Sequence, residues 1–341
     1  MRKLLLTIVG LFALTFQTNA QNSDGFESIL LAAGDAEKLT EAYINPAMTG
    51  LIYGMNNGWY HTAKAHKLFG FDISIGLNAS IVPSKDEIFT FASLGLSSNT
   101  TSSSLIGATV AGSENLEAPV TFTGTVEGQN VSATFNMPGG VKESLPINAI
   151  PTPSVQFNMG LPWKMDAMVR LVPEVGSDDV KGSLLGLGLK KEITSWFGPM
   201  EKTPLHVSLL AAYTSMNVDY DIQNDSSLSG SNQRAEFKLN SYTVEAIASL
   251  NFPIINIFGG IGYSSGNSEL NMLGTYDLDY DVNGGGTVTE TVVDPLNLDF
   301  NASGFKTTVG ARLSLGFFKI FGSYTLQEYN TVNAGIALSF R

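Results

Sequence analysis

The sequence predicts an all-β protein: a transmembrane antiparallel β-barrel of 12 to 14 strands preceded by a small helical hatch. Three observations carry this. Apolar and polar residues alternate with a period of two in stretch after stretch. The N-terminus has the order of a secretory signal. The last stretch, Thr331 to Arg341, sets Val332, Ala334, Ile336, Leu338 and Phe340 against Asn333, Gly335, Ala337 and Ser339, with an aromatic beside the C-terminus, as in the closing strand of an outer-membrane barrel.

Export comes first in chain order. Arg2 and Lys3 precede an apolar run, Leu4 to Phe16, and then Thr18-Asn19-Ala20, so residues 1–20 read as a signal peptide cleaved after Ala20. The implied destination is the outer membrane of a Gram-negative bacterium after Sec-type export. Outer-membrane lipid and, through the C-terminal strand, the barrel assembly machinery are the expected partners. The chain has no Cys, which excludes disulfides, thiolate catalysis, cysteine metal sites and a lipoprotein anchor. Its net charge of −12 repels nucleic acid, and no cofactor is expected. Beyond the signal, no 18 consecutive apolar residues occur, since Leu250 to Gly262 is broken by Asn251, Pro253 and Asn256. Closed β-structure is then the remaining way to satisfy a backbone within a membrane.

Residues 21–51 form the expected hatch. Phe26, Ile29 and Leu30 make one helix-spaced apolar patch. Asp35 starts a short helix through Ala36, Glu37, Leu39 and Tyr43, which Asn45-Pro46 is predicted to end, because the residue before proline is pushed out of helical geometry. The lumen is the place to bury these faces. The segment GDAEKLTEAYINPAMTGL, Gly34 to Leu51, resembles the N-terminal hatch of the long-chain fatty acid transporter family of outer-membrane barrels, on its Asp-Ala-rich helix leading into Asn45-Pro46-Ala47. The resemblance implies passive passage of small hydrophobic molecules, with Asn45, Pro46 and Ala47 in a movable hatch. The next block, Asn56 to Pro83, is similar to an uncharacterised Bacteroidota family of exported barrel-like proteins, which brings no function.

The barrel is expected over residues 52–341, with strands at about 53–65, 69–82, 153–162, 165–173, 183–191, 204–222, 237–252, 254–272, 299–316, 319–327 and 330–341. Short turns alternate with long polar connections, as when one rim is periplasmic and the other faces outward. The last strand should pair with the first, within about Tyr53 to Ala65, leaving no edge. In the long connection 84–150, Ser97 to Ser104 reads as a flexible polar tract, whereas Glu127 to Asn130 sits at the tip of a hairpin. That connection could extend the barrel or fold back as a constriction.

Asp72, Arg170, Lys190, Glu245, Lys306 and Arg312 interrupt small polar faces opposite apolar ones, so they should point into the lumen. An Arg or Lys facing lipid at mid-depth would cost roughly 2 to 4 kcal/mol. Pairing that fills the interior is one role for them; selection or gating of a solute is another. Asp277, Asp279 and Asp281 invite a calcium reading, but Tyr276, Leu278 and Tyr280 on the other face make a protruding strand simpler. His206 and Ser208 share a strand face, the pairing a barrel hydrolase would use on its exterior, and any Ser-rich strand offers it; the protein is not expected to be an enzyme. His61 and His66 read as interfacial or turn residues. The leading function is an outer-membrane channel for passive uptake of small hydrophobic molecules; the alternative is a non-transporting structural or assembly protein with partner-binding outer loops. An interior with no continuous path would favour the second.

Overall fold

A computed structural model of the protein describes residues 26–176, 180–222 and 229–340, so the signal segment lies outside the described residues. The chain opens with a 3-10 stretch, Phe26–Asp35, and the helix α1, Ala36–Met55. The helix does not end at Asn45-Pro46 as expected: Pro46 is a buried residue inside it. A proline there removes a backbone hydrogen bond and crowds the preceding turn. Surrounding packing outweighs that cost, for every residue from Met48 to Met55 is buried. A helix buried on all sides is enclosed by other structure, and here the enclosure is the barrel.

The expected strand at residues 53–65 is therefore absent, and the barrel wall starts later. Tyr53 to Ala63 is buried on nearly every side, whereas a barrel strand alternates. The segment from Asn56 to Gly70 instead runs down the lumen to β1, Phe71–Ile81. Residues 82–148 then form a cap carrying β2 (Ile88–Thr90), β3 (Thr100–Ser102), β4 (Ile106–Ala108), β5 (Ala118–Val126) and β6 (Gln129–Met137). The expected hairpin is present: β5 and β6 pair through a two-residue turn, Glu127-Gly128, both at positive φ, the conformation that matches strand twist. The tract at Ser97 is ordered rather than free, because Thr100–Ser102 adds an edge strand to β5.

The remaining strands follow: β7 (Ala149–Leu161), β8 (Met165–Gly176), β9 (Val180–Glu192), β10 (Leu205–Asp221), β11 (Ser229–Asn251), β12 (Ile255–Val282), β13 (Thr287–Val293), β14 (Leu296–Leu315), β15 (Phe318–Leu326) and β16 (Thr331–Phe340). One 14-stranded antiparallel sheet holds all but β2 and β4. It divides into two parts. Ten strands close the ring in the order β1-β7-β8-β9-β10-β11-β12-β14-β15-β16 and back to β1, while β3, β5, β6 and β13 extend it beyond the rim. The closing strand does pair with the first wall strand, but that strand is β1, with Ile336 opposite Ile75.

The wall is uneven. β12 has 28 residues and β11 has 23, whereas β15 has 9 and β16 has 10. Polarity inverts along the tall side. Near the short turns β12 turns Ile255, Ile257, Ile261 and Tyr263 outward, and Asn256 inward; further up, Met272, Tyr276, Leu278 and Tyr280 point inward, while Asp279 and Asp281 are exposed outside. A strand facing lipid outside and a polar filling inside must become one facing water outside and an apolar filling inside. The upper filling is one core of α1, the 3-10 stretch, the cap and the tall strands, including Leu39, Ile52, Phe122, Tyr280 and Leu298. No described helix is long and apolar enough to cross a membrane. The fold is that of a transmembrane antiparallel β-barrel.

Candidate functional site

The candidate site is the lumen, where the segment after α1 meets the wall. The C-terminal carbonyls of α1 lack helical partners and must be satisfied otherwise. Asn56 Nδ2 donates to the Ile52 carbonyl at 3.1 Å, and Asn57 Nδ2 to that of Tyr53 at 2.7 Å. The next carbonyls are taken by cations from opposite walls. Arg170 on β8 donates to Met55 at 3.0 Å and to Asn57 at 2.8 Å; Lys306 on β14 donates to Asn56 at 2.8 Å. Positive charge at this end also complements the helix dipole.

Below the helix, wall side chains continue to hold the backbone of the plug. Gln156 Nε2 donates to the Trp59 carbonyl at 2.9 Å, and Lys190 Nζ to those of Thr62 and Lys64, each at 3.2 Å. Ser208 Oγ donates to the Ala63 carbonyl. The Ala63 N–H donates to Ser249 Oγ, that of Ala65 to Glu192 Oε2 and that of His66 to Asp166 Oδ1. A buried peptide with no sheet or helix of its own is thus satisfied by side chains of the ring.

Four of the charged groups form two ion pairs. Lys306 pairs with Glu245 at 2.7 Å and Lys190 with Asp166 at 2.9 Å, all four almost fully buried. One chain of hydrogen bonds runs from mid-lumen to the lower rim: Arg170 to Gln156, Gln156 to Asn158, Asn158 to Asp72. From Asp72 it passes through His66 to Asp166. The two plug histidines differ in their surroundings. Both nitrogens of His66 face carboxylates, Asp166 at 3.1 Å and Asp72 at 3.0 Å, an arrangement that favours a proton on each. His61 Nδ1 faces Arg312 Nη1 at 2.9 Å, and since guanidinium only donates, Nδ1 accepts and the proton sits on Nε2, toward Asp72 at 3.3 Å. The His61 ring also stacks on Phe321.

Each expected residue can now be placed. Asp72, Arg170, Lys190, Glu245 and Lys306 are buried inside the ring, and Arg312 is half-buried at its lower end. Asn45, Pro46 and Ala47 lie mid-helix, remote from this network; Asn45 is exposed, Pro46 buried and Ala47 half-buried. His61 and His66 are plug residues within the lumen rather than interfacial ones. His206 Nδ1 meets Glu192 at 2.9 Å, and Ser208 points inward with its hydroxyl committed to Ala63, so neither is presented to the outside. Asp277 and Asp279 accept from Thr291 and Thr289 across β12 and β13, each at 2.6 Å, and among the described residues no group of three or more His, Asp or Glu is placed to hold a metal ion.

Sequence reasoning missed Asp166, Glu192, Gln156, Trp59 and Tyr60. Asp166 was legible, for it shares the inward face of β8 with Arg170. Trp59 was not: its ring lies under the Arg170 guanidinium at 3.8 Å, against β9 at Gly188, where a Cβ would approach it to 3.1 Å. Tyr60 donates to Glu245 at 3.0 Å. At the upper end the plug is tied to the cap: Ser97 N–H and Oγ both donate to Asp35, and Tyr43 Oη donates to the Gly139 carbonyl. Burial raises the Asp35 pKa, but the hydrogen bonds from Ser97, with one from Lys38, outweigh it and hold the carboxyl below its usual range.

Residues 1–340 match a family described as "Family of unknown function (DUF6588)". No curated protein matches the chain. Among solved structures, the chain is similar to the COG4313 outer membrane channel from Pseudomonas putida F1, at 12% identity over 83% of this chain and 100% of that one, with a TM-score of 0.39. It is also similar to Ail, the attachment invasion locus protein of Yersinia pestis, at 8% identity over 80% and 100%, TM-score 0.27. A third is the outer membrane protease OmpT from Escherichia coli, at 12% identity over 80% and 97%, TM-score 0.27.

Proposed function

The chain belongs to the DUF6588 family of unknown function, and on the geometry of its lumen we propose that it is an outer-membrane barrel closed to solutes by its own N-terminal segment, acting through its outward-facing platform rather than as a standing pore. One observation carries the reading. Residues 26–70 thread the ring from the cap to the short turns, and their backbone is hydrogen-bonded to the wall through the polar half of the lumen. In this orientation the short turns face the periplasm and the cap, β13 and the tall strands face outward.

A second reading, passage of small hydrophobic molecules when the plug withdraws, has its own support: the backbone of the lower plug is held by hydrogen bonds and ion pairs, which water can replace, and its apolar packing is confined to a small cluster of Trp59, Tyr60 and Ala63 against Met168, Leu210, Ile247 and Phe258. Conductance in planar bilayers separates the two. The intact protein is expected to show no open-channel current. Deleting residues 22–67 should open the ring; deleting only residues 22–48 should not, because the lower plug remains. Steady current through the intact protein would sink the closed-barrel reading, and uptake of a hydrophobic probe that stops when an Ala63→Cys/Ser249→Cys pair is oxidised would establish the gated one.

A further inference from the structure

The outer wall carries a hollow of about 460 Å³ where the apolar belt ends. Tyr213, Asn240, Tyr242, Asn267, Asp299 and Asn301 line it. Strand register arranges these side chains in tiers. Asn240 stands opposite Asn267, and Asn267 opposite Asn301, giving an unbroken amide row across β11, β12 and β14. One tier lower, Tyr213 faces Tyr242. Below that, Tyr263 faces Phe305, their rings 5.4 Å apart edge to face, and the wall becomes aliphatic through Val244, Ile261 and Val309.

We infer that this hollow binds the saccharide headgroup of an outer-leaflet glycolipid, with its acyl chains along the aliphatic wall beneath. The level is right, since aromatic side chains mark the boundary between hydrocarbon and headgroups. So is the chemistry. An amide presents a donor and an acceptor side by side, matching the hydroxyls of a sugar ring, and tyrosine faces offer an apolar platform with a polar edge. Tyr213 Oη already donates to Asn240 Oδ1 at 2.6 Å, fixing that amide's orientation. Among the described residues, no side-chain hydrogen bond engages the amides of Asn267 and Asn301. The one charge lining the hollow is the Asp299 carboxylate, which disfavours a phosphodiester headgroup and leaves hydroxyl-rich ones.

The inference rests on the outward orientation of the tall strands proposed above, so the test has two arms. Full-length protein is reconstituted in nanodiscs containing an acylated glucosamine disaccharide and phosphatidylethanolamine, and retained lipids are counted by native mass spectrometry. The glycolipid should be retained at least tenfold over the phospholipid, and the N267L/N301L variant should lose that preference about tenfold, at unchanged heat-modifiable migration. The single variant N301L serves if the double one does not fold. Equal retention of both lipids, or an undiminished preference in the variants, would overturn the inference. In the second arm, Gly285→Cys in the turn between β12 and β13 is labelled on intact cells by an impermeant maleimide, and the cysteine-free background makes the label specific. Labelling only after lysis overturns the inference through its orientation, and the proposed outward platform with it.

Discussion

The guanidinium carbon of Arg170 stands 3.8 Å from the centroid of the Trp59 ring, while its nitrogens hold the carbonyls of Met55 and Asn57 and the side chain of Gln156. One wall residue thus clamps the plug by stacking and by charge-assisted hydrogen bonds at the place where the helix ends. Arg170→Met keeps most of the apolar stem but removes the donor from the Met55 carbonyl and Gln156 Oε1 and leaves the Asn57 carbonyl only the long bond from Asn78 at 3.4 Å. A loss of about 3 kcal/mol or more is expected from unmaking several such bonds. The midpoint of urea unfolding in detergent checks it; a shift under 1 kcal/mol would mean water replaces the guanidinium freely.

Lys306 and Glu245 form a pair that should be replaceable together but not singly. Removing one partner of a buried pair typically costs 3 to 5 kcal/mol, because the other charge is left unpaired. Lys306→Met and Glu245→Gln should each be strongly destabilising and the double variant less so than their sum, with a coupling of about 1 to 3 kcal/mol. Additive effects in a double-mutant cycle would show that the two charges are independently solvated. Lys306 also serves Asn56, so the double variant is not expected to reach the parent's stability.

Close approach of the plug to β7 depends on a missing side chain. A Cβ at Gly54 would lie 2.4 Å from Thr152 Oγ1. Gly54→Val should therefore destabilise by about 1 to 3 kcal/mol through overpacking, and Thr152→Ala should recover part of it. Limited proteolysis of the plug, followed by mass, reads the effect; a Gly54→Val protein with an undisturbed plug would contradict the packing.

Acid should loosen the tie between the upper end of the plug and the cap. Asp35 has a folded-state pKa below the usual 3.8, so its bonds to Ser97 contribute stability that is full above about pH 4 and disappears as pH falls through the lowered value. Asp35→Asn should flatten that part of the acid-unfolding profile and leave the profile near neutrality parallel to the parent's. A variant with an unchanged acid limb would remove Asp35 from the account.

Much of the wall was legible because a lipid-facing strand alternates so strictly. The expected strands from Phe71 onward all occur, and the face opposite Ile73, Ile75 and Leu77 on β1 does carry the buried Asp72. The plug was not legible for the converse reason. Residues 53–63 contact structure on all sides, so their apolar content has no period that reveals direction, and Tyr53, Trp59 and Tyr60 mimic a strand. Pro46 misled as well: local geometry argues for a helix end, and burial on all sides overrides it. Of the partners of His61 and His66, Asp72 on β1 is close in the chain, but Asp166 on β8 and Arg312 on β14 come from strands far away in sequence, which only the ring brings together.

The threaded plug also constrains the order in which the molecule can be made. Residues 26–70 enter the ring at the cap and leave it at Phe71, where the chain becomes the wall itself, and the seam that encloses them is the pairing of β1 with β16, the earliest and latest wall strands to be synthesised. A finished ring offers no lateral entry, so the segment is either gathered into a still-open sheet before β16 arrives or drawn in end-on through a rim. In the first case closure seals the seam and imprisons the plug in one event; in the second the chain passes through an empty and leaky vessel on its way to the closed form.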